Sequence, residues 1–197
     1  MNLIEAEKLN VSWAGGTLLN GLSFSIRPGL TFVRGGEGRG KSTLLRLMAG
    51  SMEPGSGVIR RLARTTFHQN PADPAHDPVQ ARAWLQALRP GLPDWDAGIV
   101  PGLVEAFGLA EHIDKPMYML STGSRRKVGL VAAAASQAQL TLIDTPFAAL
   151  DAASSRFLVQ LLDEAAECER RAWVMADYEL PPGLAGTRLS GLIDLGD

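Results

Sequence analysis

Nine residues, Gly35-Gly36-Glu37-Gly38-Arg39-Gly40-Lys41-Ser42-Thr43, carry the densest chemistry in this chain. They fit G-x-x-x-x-G-K-[ST], a loop whose backbone amides cradle the phosphates of a nucleoside triphosphate. Glycines let successive N–H groups turn inward, and the helix that follows points the positive end of its dipole at the anion. Lys41 is then placed to reach the β- and γ-phosphates, and the Ser42 hydroxyl to ligate Mg²⁺. The setting suits the motif. Apolar Leu30-Thr31-Phe32-Val33 precedes it, and helical text from Ser42 to Ala49 follows, stopped by Gly50.

Two further constellations lie downstream. The run Leu140-Thr141-Leu142-Ile143 ends in Asp144, about 100 residues beyond the loop, where a carboxylate would hold the Mg²⁺ water shell opposite Ser42. Before it, Leu120-Ser121-Thr122-Gly123-Ser124-Arg125-Arg126-Lys127 opens a helix. Alone, that segment reads as an N-cap, with Ser121 or Ser124 satisfying orphan amides.

Taken together, loop, strand aspartate and serine-glycine segment resemble the ATP-binding cassette family, the nucleotide-binding subunits of ABC transporters. The family signature L-S-G-G-Q is matched at Leu120, Ser121 and Gly123, while Thr122 and Ser124 replace its first glycine and its glutamine. The resemblance covers nearly the whole chain and implies specific roles. Trp13 would stack on adenine, with a core tryptophan as the alternative. Gln69 would join core to helical subdomain, sensing Mg²⁺ and a transporter's coupling helix. Lys41, Gln69 and Asp144 would serve catalysis, and Ser42, Gln69 and Asp144 would serve Mg²⁺. Ser121, Thr122, Gly123 and Ser124 would act on a partner cassette's ATP, and Asp151, in Ala149-Leu150-Asp151, would lie in the loop that crosses to it. Residues 93–109 look like the helical subdomain of exporters, and Thr145–Asp151 is similar to small haem-exporter-type subunits. The implied partners are an integral membrane subunit and a second cassette. The implied location is the cytoplasmic face of a membrane.

Two positions depart from the family. It places a glutamate immediately after the strand aspartate, and this chain has Thr145, whose hydroxyl cannot take a proton near neutral pH. It also places a histidine at the end of the next strand, where Met175-Ala176-Asp177 offers Ala176. No histidine follows His112, so no shift of register restores one. The resemblance therefore implies ATP binding with slow hydrolysis at this chain's own loop. A heterodimer, in which its signature completes a competent partner site, gives those losses a role. A nucleotide-gated regulatory protein without transport is the competing reading. A P-loop kinase or GTPase is disfavoured: it has no use for residues 120–127, and no Asn-Lys-x-Asp guanine-reading segment occurs.

Bulk properties limit the alternatives. A formal net charge of −2 gives no electrostatic footprint for nucleic acid, and Arg60, Arg61 and Arg64 read as a solvated surface. Cys168 is the only cysteine, so no internal disulfide or cysteine-rich metal site can form. It lies in charged helical text that suits a structural role. The N-terminal text has no basic-then-apolar leader, and the longest apolar run, Val128–Ala135, is too short to span a bilayer. These features imply a soluble protein of a reducing compartment, whose membrane role would need another chain.

The elements that must position these residues follow from periodicity and turn chemistry. Residues 3–34 alternate in hydrophobicity and read as β-hairpin structure leading through Arg27-Pro28-Gly29 into the loop strand. Strands are expected near 58–62, 64–68, 140–144 and 172–175, and helices over 79–89, 101–107, 124–136 and 152–167. The proline-rich stretch 70–78 should hold no regular element, and 188–195 reads as a terminal hairpin. The expectation is a single α/β domain over residues 1–197. It has a P-loop core with a mostly parallel sheet and an N-terminal antiparallel β subdomain. A helical subdomain, about residues 70–136, is inserted in the core.

Overall fold

The computed structural model describes residues 1–13 and 16–196, and the chain divides into two compact units. The first comprises Met1–His68, Gln139–Thr145 and Leu162–Asp197; the second comprises Gln69–Ala138 and Pro146–Leu161.

Two sheets build the first unit. Strands β1 (Ile4–Trp13), β2 (Gly16–Ile26) and β4 (Ser56–Arg61) form an antiparallel sheet in the order β2-β1-β4. The second sheet contains β3 (Gly29–Arg34), β5 (Thr66–Phe67), β6 (Leu140–Asp144), β7 (Ala172–Asp177) and β8 (Leu189–Asp194), all parallel, in the order β5-β6-β7-β3-β8. Strands covered on both faces lose the alternating pattern and become continuously apolar. Accordingly Gly29–Val33, Leu140–Ile143 and Ala172–Ala176 are buried throughout. Helix α1 (Lys41–Ala49) buries Leu44, Leu45, Leu47 and Met48 in the same core as Leu142, Val174 and Ala176. This anchors the helix whose first turn carries Lys41 and Ser42.

The second unit holds α2 (Ala81–Leu88), α3 (Val100–Ala106) and α4 (Thr122–Ala135). Helix α5 (Ala152–Ala166) begins in this unit and ends in the first. Its first turns belong with the helical elements because Phe157 meets the ring of Phe107 edge-on, centroids 4.9 Å apart.

Three local expectations need correction. The tail is no hairpin: β8 is one strand running parallel to β3, and a 3-10 turn at Pro182–Leu184 precedes it. The proline-rich stretch does hold a regular turn, a 3-10 helix at Pro74–His76. The Asp73 side chain caps it by accepting from the Ala75 amide at 2.9 Å, and Pro74 presets its first φ. The strand expected over 64–68 shrinks to Thr66–Phe67: the Arg64 amide donates to the Gln139 side chain at 2.8 Å and Thr65 Oγ1 accepts from the Gln139 amide at 3.0 Å, and pairing with β6 starts only at Thr66.

Candidate functional site

In the first unit, β3 delivers the chain into the glycine loop, and α1 starts at its far end. Gly40 is the N-cap of α1 with φ 92°, a left-handed conformation that costs a side-chain-bearing residue about 1–2 kcal/mol. A Cβ on Gly40 would also come within 2.9 Å of Leu18 Cγ. Gly40 makes no side-chain cap bond and no acid lies in the first turn of α1, so the cap leaves the orphan amides of that turn without a side-chain acceptor. That is the arrangement an anion fits. Lys41 donates to the carbonyls of Gly35 at 2.6 Å and Gly36 at 2.8 Å, which holds its ammonium against the loop backbone.

The Ser42 hydroxyl donates to Asp144 Oδ2, joining the first turn of α1 to the end of β6. Asp144 in turn sits level with Ala176 on the neighbouring β7. Among the described residues no group of three His, Cys, Asp or Glu is gathered for a metal. A hydroxyl and a carboxylate side by side are nonetheless the hard oxygen donors Mg²⁺ uses when phosphates and water complete its shell. The residues fit MgATP.

The second unit carries the remaining candidates. Gln69 is its first residue and is exposed. Ser121 is the N-cap of α4 and accepts from the Ser124 amide at 3.1 Å, so the capping role read from the sequence is real. Thr122 is exposed, whereas Gly123 is buried because the backbone of Ala149 presses on it. Asp151 is the N-terminal cap of α5. It accepts from the Ser154 amide at 2.9 Å, and Lys127 binds its other oxygen.

The family model for ABC transporters matches residues 19–148. The chain belongs to the ABC transporter family. It is 34% identical over 161 residues to the cytochrome c biogenesis ATP-binding export protein CcmA 2 of Salmonella paratyphi A, which covers 76% of this chain and 77% of that protein. The corresponding CcmA of Rhizobium meliloti is 32% identical, covering 93% of this chain and 94% of the relative. A solved ATP-binding subunit of an ABC transporter shares the fold with a TM-score of 0.76 at 22% identity, over 90% of this chain and 80% of that one. The expected fold class and an ATP-binding transporter subunit are thus borne out, and a regulator without a transport role is not favoured.

Within the ABC frame, the departures acquire geometry. Ala176 is fully buried in β7, and its carbonyl accepts from the Thr145 amide at 2.7 Å. Thr145 has φ 42°, a left-handed backbone that a β-branched residue adopts only under strain. The side chain of Trp13, expected to meet adenine, lies outside the described residues; its backbone closes β1 opposite Gly16. Glu37, Gly38 and Arg39 form the exposed rim of the loop, and Gly35 and Gly36 its buried floor. Thr43 follows Ser42 within α1 and is half-buried.

Sequence reasoning missed two features. His68, half-buried at the end of β5, is held below its ordinary pKa by burial, against the opposing pull of the Asp144 carboxylate and with added repulsion from Arg46. No periodicity marks it. The other is the use of Arg125, Arg126 and Lys127. Cations near a helix N-terminus oppose its dipole, so a basic run there was a signal that carboxylates or carbonyls wait nearby. Among the described residues no helix is long and apolar enough to cross a membrane.

Proposed function

We propose that this chain binds MgATP as the energy-coupling subunit of an exporter whose membrane-spanning part is a separate protein. The observation that carries the reading is the Ser42–Asp144 contact beneath an uncapped α1: a phosphate cradle with its Mg²⁺ oxygens already together. The CcmA relatives are named as cytochrome c biogenesis export proteins, which supports the same kind of transport here. Lys41 and the α1 amides bind the phosphates, Ser42 and Asp144 hold the metal, and Trp13 receives the base. Bound MgATP supplies the anionic bridge between two cassettes. Ser121, Gly123 and the start of α4 face the partner's nucleotide, and the segment from Gln69 carries the movement to the membrane subunit. The cytoplasmic membrane face is the matching location.

Hydrolysis at this chain's own loop is slow. Thr145 cannot accept a proton from water, and the Ala176 methyl offers no hydrogen bond, a loss worth roughly 10²–10⁴ in rate. A heterodimer suits such a site, because the signature can still complete a partner's competent one.

The test is ATP turnover by the purified chain, native and with Thr145→Glu and Ala176→His together. The expected result is weak native turnover and a gain of roughly 10²-fold in the double variant, abolished by Lys41→Ala. Brisk native turnover that disappears with Lys41→Ala would overturn the slow-site reading. No MgATP binding at all would overturn the ATP-binding reading itself.

A further inference from the structure

The loop 147–151 is held against the first turns of α4 at three points. Arg126 donates to the Ala148 carbonyl, Lys127 pairs with Asp151, and the Ala149 carbonyl lies where a Cβ on Gly123 would be, 2.3 Å away. The grip holds an unfavourable backbone in place: Ala149 has φ 60°, a left-handed conformation that persists only where neighbours over-determine it. The Lys127 side chain is only 12% exposed and that of Asp151 53%, so the lysine is the buried partner. Removing Asp151's charge leaves an ammonium with little access to water. The Asp151 carboxylate is also shared with α5, accepting from the Ser154 amide and hydroxyl at 2.9 and 3.1 Å. On the other flank of α4, Arg125 lies 2.7 Å from Asp77, a charge contact off the hydrogen-bond axis, in the segment that follows Gln69.

We propose that Lys127 is a positioning residue that locks loop 147–151 to the start of α4, so that the signature Ser121–Ser124 and the crossing loop move as one body. Gly123 is glycine here because the locked loop occupies the space of a side chain. Asp151 serves this lock and the start of α5 within its own chain, while the exposed residues Ala148 and Ala149 are what remains to meet a second cassette. The lock itself is a property of the single chain. Its consequence for nucleotide sandwiching rests on the dimer reading above.

Hydrogen exchange of the full chain, followed by mass spectrometry, separates the two. Lys127→Ala should speed exchange together in residues 121–124 and 148–151, by about tenfold, and Lys127→Arg should restore both. Asp151→Asn retains a capping oxygen for α5 but removes the charge, and should reproduce the Lys127→Ala pattern. MgATP affinity of the dilute, monomeric chain by calorimetry should stay unchanged, since the glycine loop is untouched. Faster exchange in 148–151 alone, or no rescue by arginine, overturns the lock. Sedimentation with MgATP reads the dimer. If the native chain associates, Lys127→Ala should weaken that association at least severalfold. A native chain that stays monomeric overturns self-pairing, with the exchange result still deciding the lock.

Discussion

Ser42 on α1 and Asp144 at the end of β6 are hydrogen-bonded across 102 positions of sequence. The pair sets the first prediction, because in the proposed site each would offer Mg²⁺ one oxygen. Ser42→Ala and Asp144→Asn should each lower affinity for MgATP by roughly tenfold, the order of one charge-assisted interaction. ATP binding measured in excess chelator should stay near native. Calorimetry with and without Mg²⁺ checks this; equal losses in both conditions would mean that the pair supports the loop and does not serve the metal.

Thr145 gives a prediction about stability. A β-branched residue at φ 42° is strained, and asparagine tolerates that region better. Thr145→Asn should therefore raise the urea unfolding free energy by up to about 1 kcal/mol, with no gain in turnover, since asparagine is no more a base than threonine. An unchanged or lower midpoint would show that the threonine side chain is compensated by its surroundings.

His68 gives the pH prediction. Burial lowers its pKa below 6.5, so below that value the unfolded chain takes up a proton that the folded chain resists. Stability should fall as pH drops from about 6.5 toward the lowered folded value, and level off beneath it. His68→Gln should remove that slope. Urea midpoints between pH 5 and 7.5 measure it; an identical slope in the variant would assign the titration elsewhere.

The glycine loop, Asp144, the parallel sheet and the order of the main helices were legible because each rests on local chemistry. A left-handed glycine before a helix, a run of apolar residues in a two-sided sheet and a serine cap leave their mark in adjacent residues. Where the reading of the tail slipped, the cause was non-local. Residues 188–195 alternate like a hairpin, yet Leu189–Asp194 found a free edge beside β3. Nothing near Leu189 in sequence announces that edge.

The sequence by itself determined the family, the glycine loop on which the proposed phosphate binding rests, and the two positions, Thr145 and Ala176, where the chain departs from the resembled glutamate and histidine. Those depend on residue identity at fixed spacing. Only the tertiary structure decided that Ser42 meets Asp144, that Ala149 occupies the space beside Gly123, and that Lys127 takes Asp151 as its counter-ion. The physical reason is the same in each case. These are contacts between segments distant along the chain, and their geometry exists only after sheet order and helix packing have brought the backbones together.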